Sequence, residues 1–236
     1  TGIDVTGTAT MDGLTVDGTG LIQANMGAKL EIKSTDNFIN SGEVVGSLDF
    51  ISADYNYSAQ PIKGQIRTES VSSTGDSAVI IATTETTNLR DRIKIDKGGD
   101  ISFYEDTGST AKLFWDASAE SLGIGDTSPD NKLSIRAAST IGTKNGHIML
   151  TGDSATNGQG PQIVFSESGG SSDFAGASVG YARTGSNGIG DLIFGTRATS
   201  GDANTVPTEA MRIDSNQNLL VGKTSADGTG SIGHDI

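Results

Sequence analysis

The chain contains no cysteine, only four prolines, and 5% aromatic residues among its 236 positions. Zero cysteine excludes a disulfide scaffold, thiol catalysis and cysteine-ligated zinc. No run of about 18 apolar residues occurs, so the sequence encodes no helical membrane span. No basic segment leading into an apolar one opens the chain, so no signal peptide is read. It begins at Thr1 rather than Met, which reads as a fragment or a processed product. Cations are scarce. Sixteen Lys and Arg stand against 29 Asp and Glu, for a net charge of -13. With no basic patch, neither a nucleic-acid partner nor membrane insertion is expected. Hydrophobic residues make up 34%, well under the roughly 45–50% of ordinary globular domains. The core is therefore expected to be thin or shared with copies of the same chain. Few prolines and 19% charged residues do not fit the usual composition of disorder.

What is abundant is small and turn-forming. The chain has 33 glycines, 27 serines and 27 threonines, and 21 Asp against 8 Glu. Asp settles in turns and caps, whereas Glu favours helices. Helical periodicity is nearly absent, and the best helical candidate, Thr83–Asp91, has little apolar face and reads as a loop or short turn. Alternating or continuous apolar runs separated by Gly, Asn, Asp and Ser mark strands at Ala28–Lys33, Ser47–Ser52, Ile62–Thr68, Ala78–Thr83, Arg92–Asp96, Asp100–Tyr104, Lys112–Trp115 and Ser121–Ile124. Beyond Pro129 the strand candidates are Lys132–Arg136, Gly146–Thr151, Pro161–Ser166, Ala177–Arg183, Asp191–Thr196, Ala210–Asp214 and Asn218–Val221. The class is all-β.

A degenerate internal repeat links two stretches. Leu48-Asp49-Phe50, Gly64–Thr68, Val79-Ile80-Ile81 and Ile93–Asp96 recur in the same order as Ile163-Val164-Phe165, Gly180–Thr184, Leu192-Ile193-Phe194 and Met211–Asp214. Each stretch reads as one β module. A smaller unit, apolar–Asp followed by a polar turn and apolar residues, begins at Asp96, Asp116 and Asp214. It reads as a β-hairpin whose Asp holds the turn through backbone N–H groups, with Trp115 packed in the core of its hairpin. The organisation expected is a stalk-like β segment over 1–45, β module one over 46–104, a hairpin connector over 105–136, β module two over 137–204, and a C-terminal hairpin over 205–236. Asp12-Gly13 and Asp17-Gly18 supply tight turns in the stalk.

Chemical motifs mostly dissolve on inspection. Gly176-Ala177-Ser178-Val179-Gly180 matches a nucleophile elbow, but its residues alternate as a strand with no helix following. His147 and His234 are the only histidines, and a catalytic His would need orienting groups that a sequence does not show. Gly222-Lys223-Thr224 ends like a phosphate loop, but Gln217 stands where that loop needs glycine. Asp96 with Asp100, or Asp12 with Asp17, could line a loose calcium site, although turn capping is the simpler role. No metal or cofactor is expected. Tyr55-Asn56-Tyr57, in a polar stretch between two strands, are the receptor-contact candidates, because exposed loop tyrosines can stack on sugars or proteins. Packing against a neighbouring chain is the competing role for them.

Phe114–Ser118 with Leu122–Gly125 and Ser128–Leu133, Met211–Gly222, and the opening Val5–Thr8 with Asp12–Val16 resemble the repeats of tailed-phage tail fibres, marine and cyanobacterial phages in particular. The resemblance implies an elongated, intertwined homotrimeric fibre, located in the virion and assembled in the host cytoplasm. It further implies contacts with other tail or baseplate proteins and with a bacterial surface glycan or protein. Such fibres often continue into a C-terminal intramolecular chaperone; none is visible before Ile236, so that part is expected to be missing. The function expected is structural and adhesive, and not enzymatic. Two alternatives are a polysaccharide depolymerase, which needs paired carboxylates in a cleft, and a bacterial surface or prophage-derived adhesin.

Overall fold

The computed structural model describes residues 30–32, 34–35, 39–52, 62–138, 146–153, 155–166, 174–197, 207–222 and 225. It divides into two units, Thr1–Ala138 and Ser139–Ile236. The stalk reading, Asp12, Asp17, His234 and the Tyr55-Asn56-Tyr57 stretch lie outside the described residues.

Among the described residues all regular structure is β. In the first unit the strands are β1 (Val44–Ile51), β2 (Ile62–Ser70), β3 (Ser77–Glu85), β4 (Asn88–Ile95), β5 (Ile101–Tyr104), β6 (Ala111–Asp116), β7 (Ser121–Ile124) and β8 (Leu133–Ile135). They form one sheet in strict chain order, antiparallel throughout except for the parallel β7–β8 pair. The sheet runs without a break from residues 46–104 into 105–136. In the second unit β9 (Gln162–Ser166), β10 (Ala175–Arg183), β11 (Gly190–Thr196), β12 (Thr208–Ile213) and β13 (Leu219–Val221) form a five-stranded antiparallel meander. This topology suits the composition. From β2 to β7 each pair is closed by a short connection that needs turn residues, whereas Ile51 to Ile62, Ser166 to Ala175 and Thr196 to Thr208 are longer connections.

Three sequence expectations change. Within the Ala28–Lys33 strand candidate, Leu30, Glu31 and Ile32 are described and form no strand. Thr83–Asp91 is not a loop; it holds the paired ends of β3 and β4 around a two-residue turn at Thr86-Thr87, with Thr86 at a φ of 55°. Its threonines are β-branched and favour strand. Conversely, Gly146–Thr151 forms no strand. Ile148, Met149 and Leu150 are exposed, Met149 by 82%. An apolar run becomes a strand only where a partner strand takes its N–H and C=O groups, and among the described residues none lies beside it.

The repeat is real at the level of hydrogen-bond register. Val79 opposes Ile95 and Ile81 opposes Ile93 across β3–β4, as Leu192 opposes Ile213 and Phe194 opposes Met211 across β11–β12. Ile95–Ile101 and Ile213–Leu219 continue the match into the next strand. In the preceding strands the register corrects the sequence alignment. Arg67 opposes Ile80, and the residue opposing the equivalent Ile193 is Gly180, not Arg183. The shared Arg-Thr dipeptide therefore pairs positions three residues apart, on opposite faces of the sheet.

Each sheet is a single layer. Among the described residues a strand touches only its neighbours in the sheet, apart from β2 and β4, which meet across β3. Among the described residues the buried aliphatic side chains are Ala78, Ile80, Ala82 and Leu220.

Candidate functional site

The two faces of each sheet differ sharply, and the difference follows from the period of two along every strand. On one face of the first sheet, the cross-strand register aligns Leu48, Ile66, Ile81, Ile93, Phe103, Leu113, Ile124 and Ile135 in one continuous row across all eight strands. A second row beside it carries Val79, Ile95, Ile101, Trp115, Leu122 and Leu133. No second strand layer of the first unit covers them, although Ile32 lies against Gly46 at the β1 edge, beside Leu48 and Ile66. Leu48, Ile66, Ile81, Ile95, Phe103 and Ile124 are all exposed. Trp115, read from the sequence as core, is 36% exposed on this same face. The second sheet repeats the arrangement, with Ile163, Val179, Phe194, Met211 and Val221 in one row and Tyr181, Leu192, Ile213 and Leu219 in the next.

The opposite face is polar and self-satisfied. On the first sheet Arg67 reaches across β3. Its guanidinium donates to Glu69 at 3.1 Å and to Asp91 at 3.0 and 3.2 Å. Gln65 donates to Asp49 at 2.8 Å, extending the network to β1. Beneath these side chains lie Ala78, Ile80 and Ala82, with Ile80 only 2% exposed. The thin core of the first unit is thus a strip of small apolar side chains roofed by an arginine, whose methylenes cover apolar surface while its head group stays paired. On the second sheet Arg212 pairs with Glu209 and with the buried Asp191, both at 2.5 Å. Asp191 also accepts from Ser215 N–H at 2.9 Å. Glu209, chiefly, and then Asp191 hold the Arg212 guanidinium more firmly protonated than usual.

Acidic side chains organise the turns. Asp96 Oδ1 accepts from the N–H groups of Gly98 at 2.7 Å and Asp100 at 3.1 Å. Asp214 Oδ1 does the same with Asn216 at 2.9 Å and Asn218 at 2.8 Å. The two turns share their backbone bonds as well, and a left-handed residue falls at the same place in both, Gly99 at φ 90° and Gln217 at φ 70°. Asp116 accepts from Ala119 N–H and the Ser118 hydroxyl, both at 2.8 Å. Glu105 gathers the Thr107 hydroxyl and the N–H groups of Thr107, Ser109 and Thr110. The sidechain amide and N–H of Asn218 lower Asp214, the Ala119 N–H and Ser118 hydroxyl lower Asp116, and the Thr107 hydroxyl with three N–H groups holds Glu105 far below the usual carboxylate range. Asp100, the partner suggested for Asp96 around a cation, spends its Oδ1 on Ala117 N–H at 2.8 Å. Among the described residues no three acidic or histidine side chains gather as a metal-binding group. The Gly176–Gly180 motif lies within β10, paired on both sides.

Sequence reading named Asp96, Asp116 and Asp214 but not Glu105, the two arginine clamps or the continuity of the apolar rows. The alternation was present in each strand; only the register shows that most of the large apolar residues of neighbouring strands share one face, with Ile80, Phe114, Ile193 and Leu220 on the other.

No protein-family model matches the chain, and no curated protein does. Solved structures do. The chain is similar to the carboxy-terminal domain of the bacteriophage T5 L-shaped tail fibre with its intramolecular chaperone domain. It is 10% identical to that structure, covers 90% of this chain and 64% of that one, and has a TM-score of 0.32. The same domain without the chaperone matches at 10% identity, over 91% of this chain and 93% of that one, with a TM-score of 0.31. The chain thus spans less than two thirds of the chaperone-bearing structure.

Proposed function

We propose that the chain is a structural segment of a phage tail fibre, carried on the virion and taking part in attachment to the bacterial surface, and that it works as a homotrimer. The observation that carries this reading is the pair of apolar rows left bare on each single-layer sheet. Burying a Leu, Ile or Phe side chain is worth about 1.5–3 kcal/mol relative to full exposure. Rows of half-exposed side chains therefore forfeit on the order of ten kcal/mol per chain if left in water. Within each unit the described strands form one layer, with no second strand layer laid over these rows. Three copies turning these faces inward would supply one shared core and leave the clamped polar faces outside, and closed symmetry would limit the assembly. The tail-fibre repeats seen in the sequence support the same reading. Three equal arms would also multiply weak surface contacts through effective concentration.

Light scattering on the purified chain is expected to give the mass of three chains, and antibodies against it are expected to decorate the tails of virions in electron micrographs. A stable folded monomer would overturn the assembly; labelled heads or unlabelled virions would overturn the placement.

A further inference from the structure

A cleft of about 540 Å3 opens on the polar face of the second sheet, and the first sheet explains why it exists. Register equates Gly180 with Arg67, Ser178 with Gln65, and Ile193 with Ile80. On the first sheet the arginine roofs Ile80, and the face is filled. On the second, glycine stands in that place. The segment before β9 continues the ladder along β10, as β1 does along β2: Tyr181 N–H donates to the Pro161 carbonyl at 3.0 Å and Arg183 N–H to the Gln159 carbonyl at 3.0 Å. A Cβ on Gly180 would stand 3.0 Å from that of Gln162. The space the arginine would have covered becomes a cleft lined by Asp153, Gln159, Gln162, Ser178, Ile193 and Glu209. Its size falls within the range of small-molecule sites.

We propose that this cleft is a binding site for a neutral saccharide. Amide and hydroxyl groups both donate and accept, as sugar hydroxyls do. Asp153 accepts from hydroxyl pairs, while Glu209 is already held through both oxygens by Arg212; a chain of charge -13 repels anions. Ile193 and the exposed glycine backbone offer a flat, weakly polar floor to a pyranose ring. The site is complete within one chain and lies on the face that does not carry the apolar rows. Its biological setting rests on the attachment reading, but its chemistry does not.

The test is calorimetric titration of the full chain with neutral oligomers of glucose, galactose, mannose and N-acetylglucosamine, alongside a sialylated trisaccharide and a glucosamine oligomer. At least one neutral oligomer is expected to bind with a dissociation constant of about 1 mM or tighter, and the sialylated sugar at least about tenfold more weakly. Ser178→Gln, which installs the first sheet's side chain, and Gln162→Ala, which only removes an amide, are each expected to weaken binding at least about tenfold. Both should leave the circular dichroism spectrum unchanged. No neutral binding at about 10 mM, a preference for the anionic or amine-bearing sugar, or full affinity in a correctly folded Gln162→Ala would each overturn the proposal. Binding to whole bacteria separates the two readings. Cells bound equally by wild type and both variants would remove the cleft from attachment, whereas sugar binding without cell binding would leave the cleft standing and overturn attachment.

Discussion

Arg67 and Arg212 do the same work by different routes. Each lies on the polar face of its sheet, and each is held by two carboxylates, one on its own strand and one on another. The Arg67 side chain is 12% exposed and covers a strip that contains most of the first unit's buried apolar residues. Truncation removes that cover and leaves Glu69 and Asp91 facing each other without a cation. Arg67→Ala is therefore expected to cost about 2–4 kcal/mol in unfolding free energy, because partners of a part-buried ion pair are costly to strand. Arg67→Lys should recover only part of it, since an ammonium cannot reproduce the forked contacts. Removal of Lys97, whose contact with Asp76 is exposed, should change stability little. Chemical denaturation of the three variants checks the ranking; equal effects from Arg67→Ala and Lys97→Ala would refute the roofing role.

At the scale of the element, the hairpins are fastened by ionised acids. Glu105, Asp116, Asp126 and Asp214 all have their pKa values lowered on folding, mainly by hydroxyl, amide and backbone N–H donors. A carboxyl whose value falls on folding stabilises the fold at any pH above its unfolded value, and that contribution drains away as pH falls through the folded one. The unfolded reference values are 3.8 for Asp and 4.5 for Glu. The melting temperature is thus expected to hold steady from neutrality to about pH 5 and to drop below about pH 4. Glu105→Gln should melt lower at pH 7 and show a shallower decline in acid. An unchanged acid slope in that variant would mean Glu105 plays no part. These turns were legible because their chemistry is local: Asp followed by polar residues and a glycine or asparagine suffices to write one. The strands were legible wherever a partner followed within a few residues. Ile148-Met149-Leu150 was misread for the opposite reason, since pairing is a property of two segments and a single run does not reveal it. Thr83–Asp91 was misread because a two-residue turn between threonine-rich strand ends looks, residue by residue, like polar loop.

For the whole molecule, the decisive fact is that the strands of each sheet agree on which face is apolar. Ile81 sits in the middle of the long row on the first sheet, while Lys94 occupies the opposite face. If copies meet through that row, Ile81→Asp is expected to reduce the solution mass from three chains to one, because three charges would be forced into one apolar core. Lys94→Asp should leave the mass unchanged. Trimeric Ile81→Asp would move the interface elsewhere.

Composition, alternation and turn dipeptides by themselves determined that this chain is all-β, thin-cored and built of hairpins, because each of those properties is set within about ten residues. Tertiary structure alone decided three things. It lined up one apolar residue from each of eight strands in a single row on one face of the first sheet. It shifted the repeat by three residues, so that Gly180 rather than Arg183 answers Arg67. It thereby opened a cleft in one repeat where the other is roofed. Register makes that difference: one residue of slip turns a strand over, and only hydrogen-bonded partners fix which way it faces.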